Sequence, residues 1–385
     1  MVLHIAASLI NLVRIRFQHT NIDNYIFQLH YRWTSTFCFL ACALLMASDY
    51  IGQVIQCYDS SGISVSKPIN AYCWVMSTFT INNTNFDGSH YIYLNSKFDG
   101  TGTFYPERHI KTYHSYYQWV PFILFLQGSL FYIPHLIWKI IEGKKADTLL
   151  HDLQFYSEDE NSEKMRNKII KYLQSSWGYN EKYFKGYMVC EIINFINVIG
   201  QMFFLNTFFG GVFITYGTNV LNYLIDNDKY YNPMITTFPR ITKCNFYKFG
   251  PSGSRELLDY TCILPQNMLN EKIFTVMWFW FVCLATITAI QIVWHIIIIY
   301  SPVIRIYNLE YQGKFKASFQ MKESIQSLNI GDYFLLDILG HNLDAYNFKE
   351  LLMLTLGCKE NRENIQYDNE NNYYLKDKMY GDTPV

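Results

Sequence analysis

Residues 116–139 read YYQWVPFILFLQGSLFYIPHLIWK, and no charged residue interrupts them before Lys139 unless His135 is protonated. Pro121 to Trp138 supplies 18 residues, roughly 27 Å as an α-helix, close to a bilayer core of about 30 Å. Tyr116, Tyr117 and Trp119 crowd one end, and Trp138 and Lys139 close the other. Amphipathic rings settle at headgroup level and a lysine stem reaches back to water, so both ends are anchors. Pro121 suits a first helical turn, whose N–H is unpaired anyway. Pro134 is interior and predicts a kink, which a membrane helix tolerates when a neighbour satisfies the freed carbonyl.

Three further apolar segments run from Trp33 to Ile51, Tyr187 to Phe209 and Ile273 to Tyr300. The last exceeds what a bilayer needs, which predicts tilt or projection beyond it. The 385 residues are 18% aromatic and only 16% charged, below the usual quarter. Long polar loops dilute the spans and bring mean hydropathy near zero. An even number of spans puts both termini on one side. Residues 53–115 carry four Lys/Arg and residues 140–186 carry eight, so the second loop and both termini are expected in the cytoplasm. A cleaved signal is not expected, because Arg14 and Arg16 follow the apolar run Ile5–Val13 instead of preceding it. The sequence thus predicts an all-α membrane protein, a bundle of four transmembrane helices.

Several motifs resemble one family. YYQWVPF, LFLQ and LFYIPHLIWK are similar to the second transmembrane helix of the innexins, gap-junction channel subunits. Gly128 stands where that family has a small residue. YIGQVIQCY (50–58) and YCWV (72–75) resemble the first extracellular loop, with Val54 for a frequent proline and Tyr58 for a frequent tryptophan. FPRITKCNF (238–246) resembles the FPR…C motif, with Asn245 for aspartate, and NMLNEKIFTVMWFWF (267–281) matches the entry into the fourth helix. The resemblance covers roughly residues 20–300.

On this reading the chain divides into a cytoplasmic N-terminal segment (1–32), a first span (33–52) and an outside loop (53–116). A second span (117–139), a cytoplasmic loop (140–186), a third span (187–210), a second outside loop (211–271) and a fourth span (272–300) follow. A helical cytoplasmic dome (301–358) and a polar tail (359–385) complete it. The family architecture implies that the N-terminal segment folds into the channel mouth as a pore funnel. It also implies bridges Cys57–Cys262 and Cys73–Cys244; the residues alone do not fix the connectivity and also permit two bridges each within one loop. Gly250-Pro251-Ser252-Gly253 predicts a small β hairpin in the second outside loop.

Other candidate residues carry weaker signals. Asp49, at the outer end of the first span, is a pore-mouth candidate: a ring of carboxylates favours cations, unless the side chain turns aside to pair with a loop cation. Asn82-Asn83-Thr84 is a glycosylation acceptor. Thr383 and Val385 suit a PDZ groove, though so short a match also arises by chance. Asn194, Asn197 and Gln201 recur on one helical face and predict interhelical hydrogen bonds. Cys38 and Cys42 lie one turn apart and read as packing, and His109 and His114 are a weak metal pair. The expectation is therefore no metal, no cofactor and no catalytic residue, since no zincin, phosphate-loop or nucleophile-elbow motif occurs. A net charge of −1 without a basic tract points away from nucleic acid.

The resemblance implies a channel that assembles with copies of itself or with other innexin subunits, sits among membrane lipids, and docks with a channel of the opposing cell. An undocked channel, or a non-conducting four-span adhesion or scaffold protein, are the alternatives.

Overall fold

The computed structural model describes residues 21–59, 61–83, 101, 109–154, 160–226 and 232–356. In chain order come α1 (Ser35–Ile51), β1 (Gln56–Tyr58), α2 (Lys67–Val75), β2 (Thr78–Asn83), β3 (His109–His114) and α3 (Val120–Glu142). Next are α4 (Lys145–Gln154), α5 (Glu160–Ser175), α6 (Glu181–Phe208), α7 (Phe213–Asp226) and α8 (Pro233–Thr237). The hairpin β4 (Ile241–Phe249) and β5 (Arg255–Ile263) leads into α9 (Pro265–Tyr300). Four helices close the described chain: α10 (Pro302–Gly313), α11 (Phe319–Ser327), α12 (Ile330–Asn342) and α13 (Ala345–Thr355).

Among the described residues, three helices are long and apolar enough to cross a membrane: α3, α6 and α9. The first apolar segment gives an α-helix of 17 residues, extended backwards by a π turn at Leu29–Thr34 and a helical turn at Tyr25–Gln28. Helix therefore begins inside the segment 1–32 that was expected to precede the span. The Ser35 backbone N–H donates to the His30 carbonyl five residues back, the spacing of a π turn, and the Thr34 hydroxyl donates to the Leu29 carbonyl at 2.9 Å.

The chain forms two compact units. One comprises Tyr25–Leu136 and Glu191–Gln291. Its core is Leu45, Leu124, Phe131, Val198, Phe274 and Phe281 with their neighbours. Here the proline in α3 is answered. Pro134 has no N–H for the Leu130 carbonyl, and the Asn197 amide on α6 donates to that oxygen at 3.4 Å. Gln201 in turn donates to Asn197 at 3.3 Å. Gly128 has a comparable reason: a Cβ there would come within 3.0 Å of the Phe39 ring, so α1 packs closely on α3. Ser35 confirms the approach by donating to the Gly128 carbonyl at 2.8 Å.

The β structure is larger than the expected small hairpin. It is a five-stranded sheet in the order β1-β5-β4-β2-β3. β4 and β5 do form a hairpin around Gly250–Gly253, with Gly253 at φ 77°. Its base then recruits β1 along Thr261–Ile263 and β2 at Lys243. The segment 211–271, expected to be an outside loop with a hairpin, also contains α7 and α8.

The other unit includes Ile137–Cys190 and the chain from Ile292 onward. Its core gathers Ile306, Leu309, Ile325, Leu336, Phe348 and Leu352. α12 is buried almost all round from Gly331 to Gly340. Gly331 permits this, because a Cβ would lie 2.3 Å from the Asn180 backbone. Asp332 accepts from the Asn180 side chain at 2.6 Å and from the Gly178 amide at 2.8 Å, so its buried carboxylate is fully engaged. Pro302 leaves the Ile298 carbonyl without its helical partner. The Arg305 guanidinium donates to that oxygen at 2.9 Å, and to the carbonyls of Ile299 and Leu328.

Candidate functional site

The cysteines organise a small cap. Cys57 in β1 lies directly across from Cys262 in β5, and the two are joined at a Cα separation of 3.9 Å. α2 brings Cys73 to Cys244 in β4, with Cα atoms 5.8 Å apart. Both bridges are buried on the sheet face that also carries Thr242 and Tyr260. Ile55, Tyr117 and Leu264 complete their apolar surroundings. The sulfurs of Cys57, Cys73 and Cys262 lie within 4.8 Å of one another, a spacing that suits a metal, but each is committed to a bridge. Cys38, Cys42, Cys190 and Cys283 are unbridged, and Cys358 lies outside the described residues.

Two sets of contacts fix the cap to the membrane helices. The Trp74 ring, from YCWV, sits 4.5 Å from that of Tyr117, from YYQWVPF, and the Trp74 carbonyl accepts from Tyr117 and Gln118. The second set joins the FPR and NEK motifs. Arg240 donates twice to Glu271 Oε2, at 2.7 and 3.2 Å, and Lys272 reaches Oε1 at 2.9 Å. The Glu271 side chain is 0% exposed, whereas that of Arg240 is 44% exposed. Asn267 supports the same corner by donating to the Pro239 carbonyl at 2.7 Å. Sequence reading missed this ion pair; its signal was a lone Glu-Lys step at the mouth of an otherwise charge-free helix, facing an arginine after a proline.

The β2–β3 ribbon carries a buried polar pair. Thr80 Oγ1 and His114 Nε2 are 2.8 Å apart. Burial holds the His114 imidazole down to a pKa of about 4, so it is neutral at physiological pH. His109 begins the same strand, and its side chain lies outside the described residues. At the β1 end, Asp59 accepts from the Ser61 hydroxyl and from the Ile63 and Ser61 amides, which holds its carboxyl below the usual range.

α1 presents two faces. Cys38, Ala41, Cys42 and Leu45 are buried, while Thr36, Leu40, Ala43 and Ala47 form an exposed row at helical spacing. Asp49 lies in the last turn of α1, and its side chain is outside the described residues. Asn82 and Asn83 pair through their backbones with Ile110 and His109; the two side chains are outside the described residues, as are Thr84, Thr383 and Val385.

Known proteins share this arrangement in sequence. The family model described as Innexin matches residues 23–355. Innexin inx3 of Drosophila melanogaster is 37% identical over 339 residues, 87% of this chain and 84% of that protein. Innexin shaking-B of the same organism is 36% identical over 352 residues, 91% of this chain and 93% of that one. Innexin inx2 of Schistocerca americana is 37% identical over 334 residues, 86% and 91% of the two chains. With the family match spanning the membrane helices, the bridged cap and the helices after α9, this chain belongs to the innexin family, which forms gap-junction channels.

Proposed function

We propose that the chain is one subunit of a four-span channel, with both termini in the cytoplasm, that rings a wide aqueous pore and docks end to end with a channel of the opposing cell. The observation that carries this reading is the cap: one sheet drawn from two loops remote in sequence and braced by two bridges. A rigid surface of that kind suits contact with an identical surface. The exposed Thr36, Ala43 and Ala47 support α1 as pore wall, since small side chains leave a pore wide. Nothing in the chain resembles a carbonyl filter, so selectivity comes from pore width and wall charge. Asp49 is the candidate for that charge, with a reach limited to about 8 Å by physiological salt.

The experiment is conductance of paired and single cells in an otherwise uncoupled line. Current between cells supports the docked channel. Current in single cells alone supports the undocked one, a reading favoured if Asn82 carries a glycan that obstructs docking. Absence of both leaves the adhesion or scaffold reading. Subunits join copies of themselves or other innexins, and Thr383 and Val385 supply a PDZ ligand if adding a glycine after Val385 disperses junctional clusters.

A further inference from the structure

α7 is packed on one face and bare on the other. Between Glu191 and Asp226 the sequence contains no charged residue and no histidine. The charge-free run of α6 therefore does not stop at Phe208 but continues through Gly210-Gly211 into the last turn of α7. Gly210 and Gly211, at φ 70° and 91°, make the break between the two helices. Phe213, Tyr216 and Val220 enter the core. Gly217 receives the Trp278 indole, which a Cβ would meet at 2.0 Å.

The contacts fix where α7 crosses α9. Trp278 Nε1 donates to the Ile214 carbonyl at 3.1 Å, and the Tyr216 and Thr275 hydroxyls are 2.9 Å apart. The rings of Phe213 and Phe274 are 6.2 Å apart. Phe213–Gly217 thus stays against a single turn of α9, Phe274–Trp278. That turn begins just past Glu271-Lys272, where α9 becomes charge-free until its far end. At 1.5 Å per residue it lies roughly 3–9 Å beyond the charged step. On the bare side, Leu221 is 42%, Leu224 63% and Ile225 76% exposed. Val276, on the very turn that α7 crosses, and Phe203 near the end of α6 are exposed as well.

We propose that α7 is an interfacial helix lying in the outer leaflet, with Leu221, Leu224 and Ile225 against lipid acyl chains. The inference rests on reading α6 and α9 as membrane spans. A helix washed by solvent would carry charge on its outer face; this one carries none before Asp226, and Leu221, Leu224 and Ile225 stand beside the uncharged Thr215, Thr218 and Asn222, at the depth where an amphipathic helix beds into the headgroup–acyl boundary. Four residues separate it from α6, and its exposed surface follows on from theirs.

The test uses the full-length channel in its membrane, with the photoreactive residue p-benzoylphenylalanine placed singly at Ile225, Leu221, Val220 or Phe203. After irradiation, mass spectrometry of the channel reads the adduct. Phospholipid adducts at Ile225 and Leu221, and none at buried Val220, are expected. A cross-linked dimer from Ile225 would assign the face to a second copy and overturn the proposal, and so would absence of any lipid adduct there. Lipid adducts at Phe203 but not at Ile225 would overturn this inference alone, whereas loss at both would overturn the spans on which it rests. If the Leu221 variant fails to assemble, Ile225, the most exposed position, decides.

Discussion

Removing Arg240 should cost the channel far more than its exposure suggests. The variant Arg240→Met keeps most of the side-chain volume but leaves Glu271, wholly buried, with Lys272 as its remaining cation. Breaking a buried pair on one side typically costs about 3–5 kcal/mol, because the survivor is an uncompensated charge. Arg240 is 44% and Lys272 65% exposed, so water and the lysine soften the loss, and we expect about 2–3 kcal/mol. For a unit of this size that corresponds to a melting shift of roughly 5–10 °C. Glu271→Gln alone should cost less, since a half-exposed guanidinium can turn to solvent. The double variant should recover to within about 1 kcal/mol of the wild type, as apolar or neutral replacement of a whole pair often does. The assay is thermal unfolding of the purified channel followed by tryptophan fluorescence, with surface expression as a check. If Arg240→Met melts with the wild type, or Glu271→Gln fails to rescue it, the pair does not hold the corner.

Asn197→Leu should cost about 1 kcal/mol, and less in a Pro134→Ala background, where the helix supplies its own donor to Leu130; a double-mutant cycle on unfolding checks this. Asp332→Ala removes the acceptor for Gly178 and Asn180 and should cost about 3 kcal/mol, seen as faster hydrogen exchange around residues 176–183. His114 has a folded pKa depressed from 6.5 to about 4, so its contribution is complete above pH 6.5 and drains as pH falls toward 4. The loss reaches about 3 kcal/mol. Exchange in β2 and β3 should therefore rise across that window, and His114→Gln should abolish the dependence.

What the sequence made legible is what lies in local composition. The apolar runs, the anchors of α3 and the hairpin turn at Gly250–Gly253 are all readable from neighbours in the chain. Pro134 and the Asn197 stripe were each readable, though not that one serves the other, because they sit on different helices. The five-stranded sheet was hidden for a related reason: Gln56 pairs with Ile263, and β1 has only three residues, too few for alternation to register. α7 was overlooked because Gly210-Gly211 signals the end of a helix and says nothing of the next. The full burial of α12 depends on Gly331 meeting Asn180, a packing fact with no periodicity of its own. The Arg240–Glu271 pair spans 31 positions, beyond any helical or strand repeat.

The bridges impose an order on biosynthesis. Cys57 waits 205 residues for Cys262, and Cys73 waits 171 for Cys244. At roughly 5–20 residues per second, and with the loops on the lumenal side as proposed, the first cysteine waits about 10–40 s in an oxidising compartment before its partner is made. During that interval Cys57 and Cys73 have only each other, and closing so short a loop is entropically easy. Any such early bond must be undone by thiol–disulfide exchange after the last span has been threaded. On the proposed topology, a chain that stops between Cys244 and Cys262 carries Cys57, Cys73 and Cys244 without the fourth partner, so one thiol is left over.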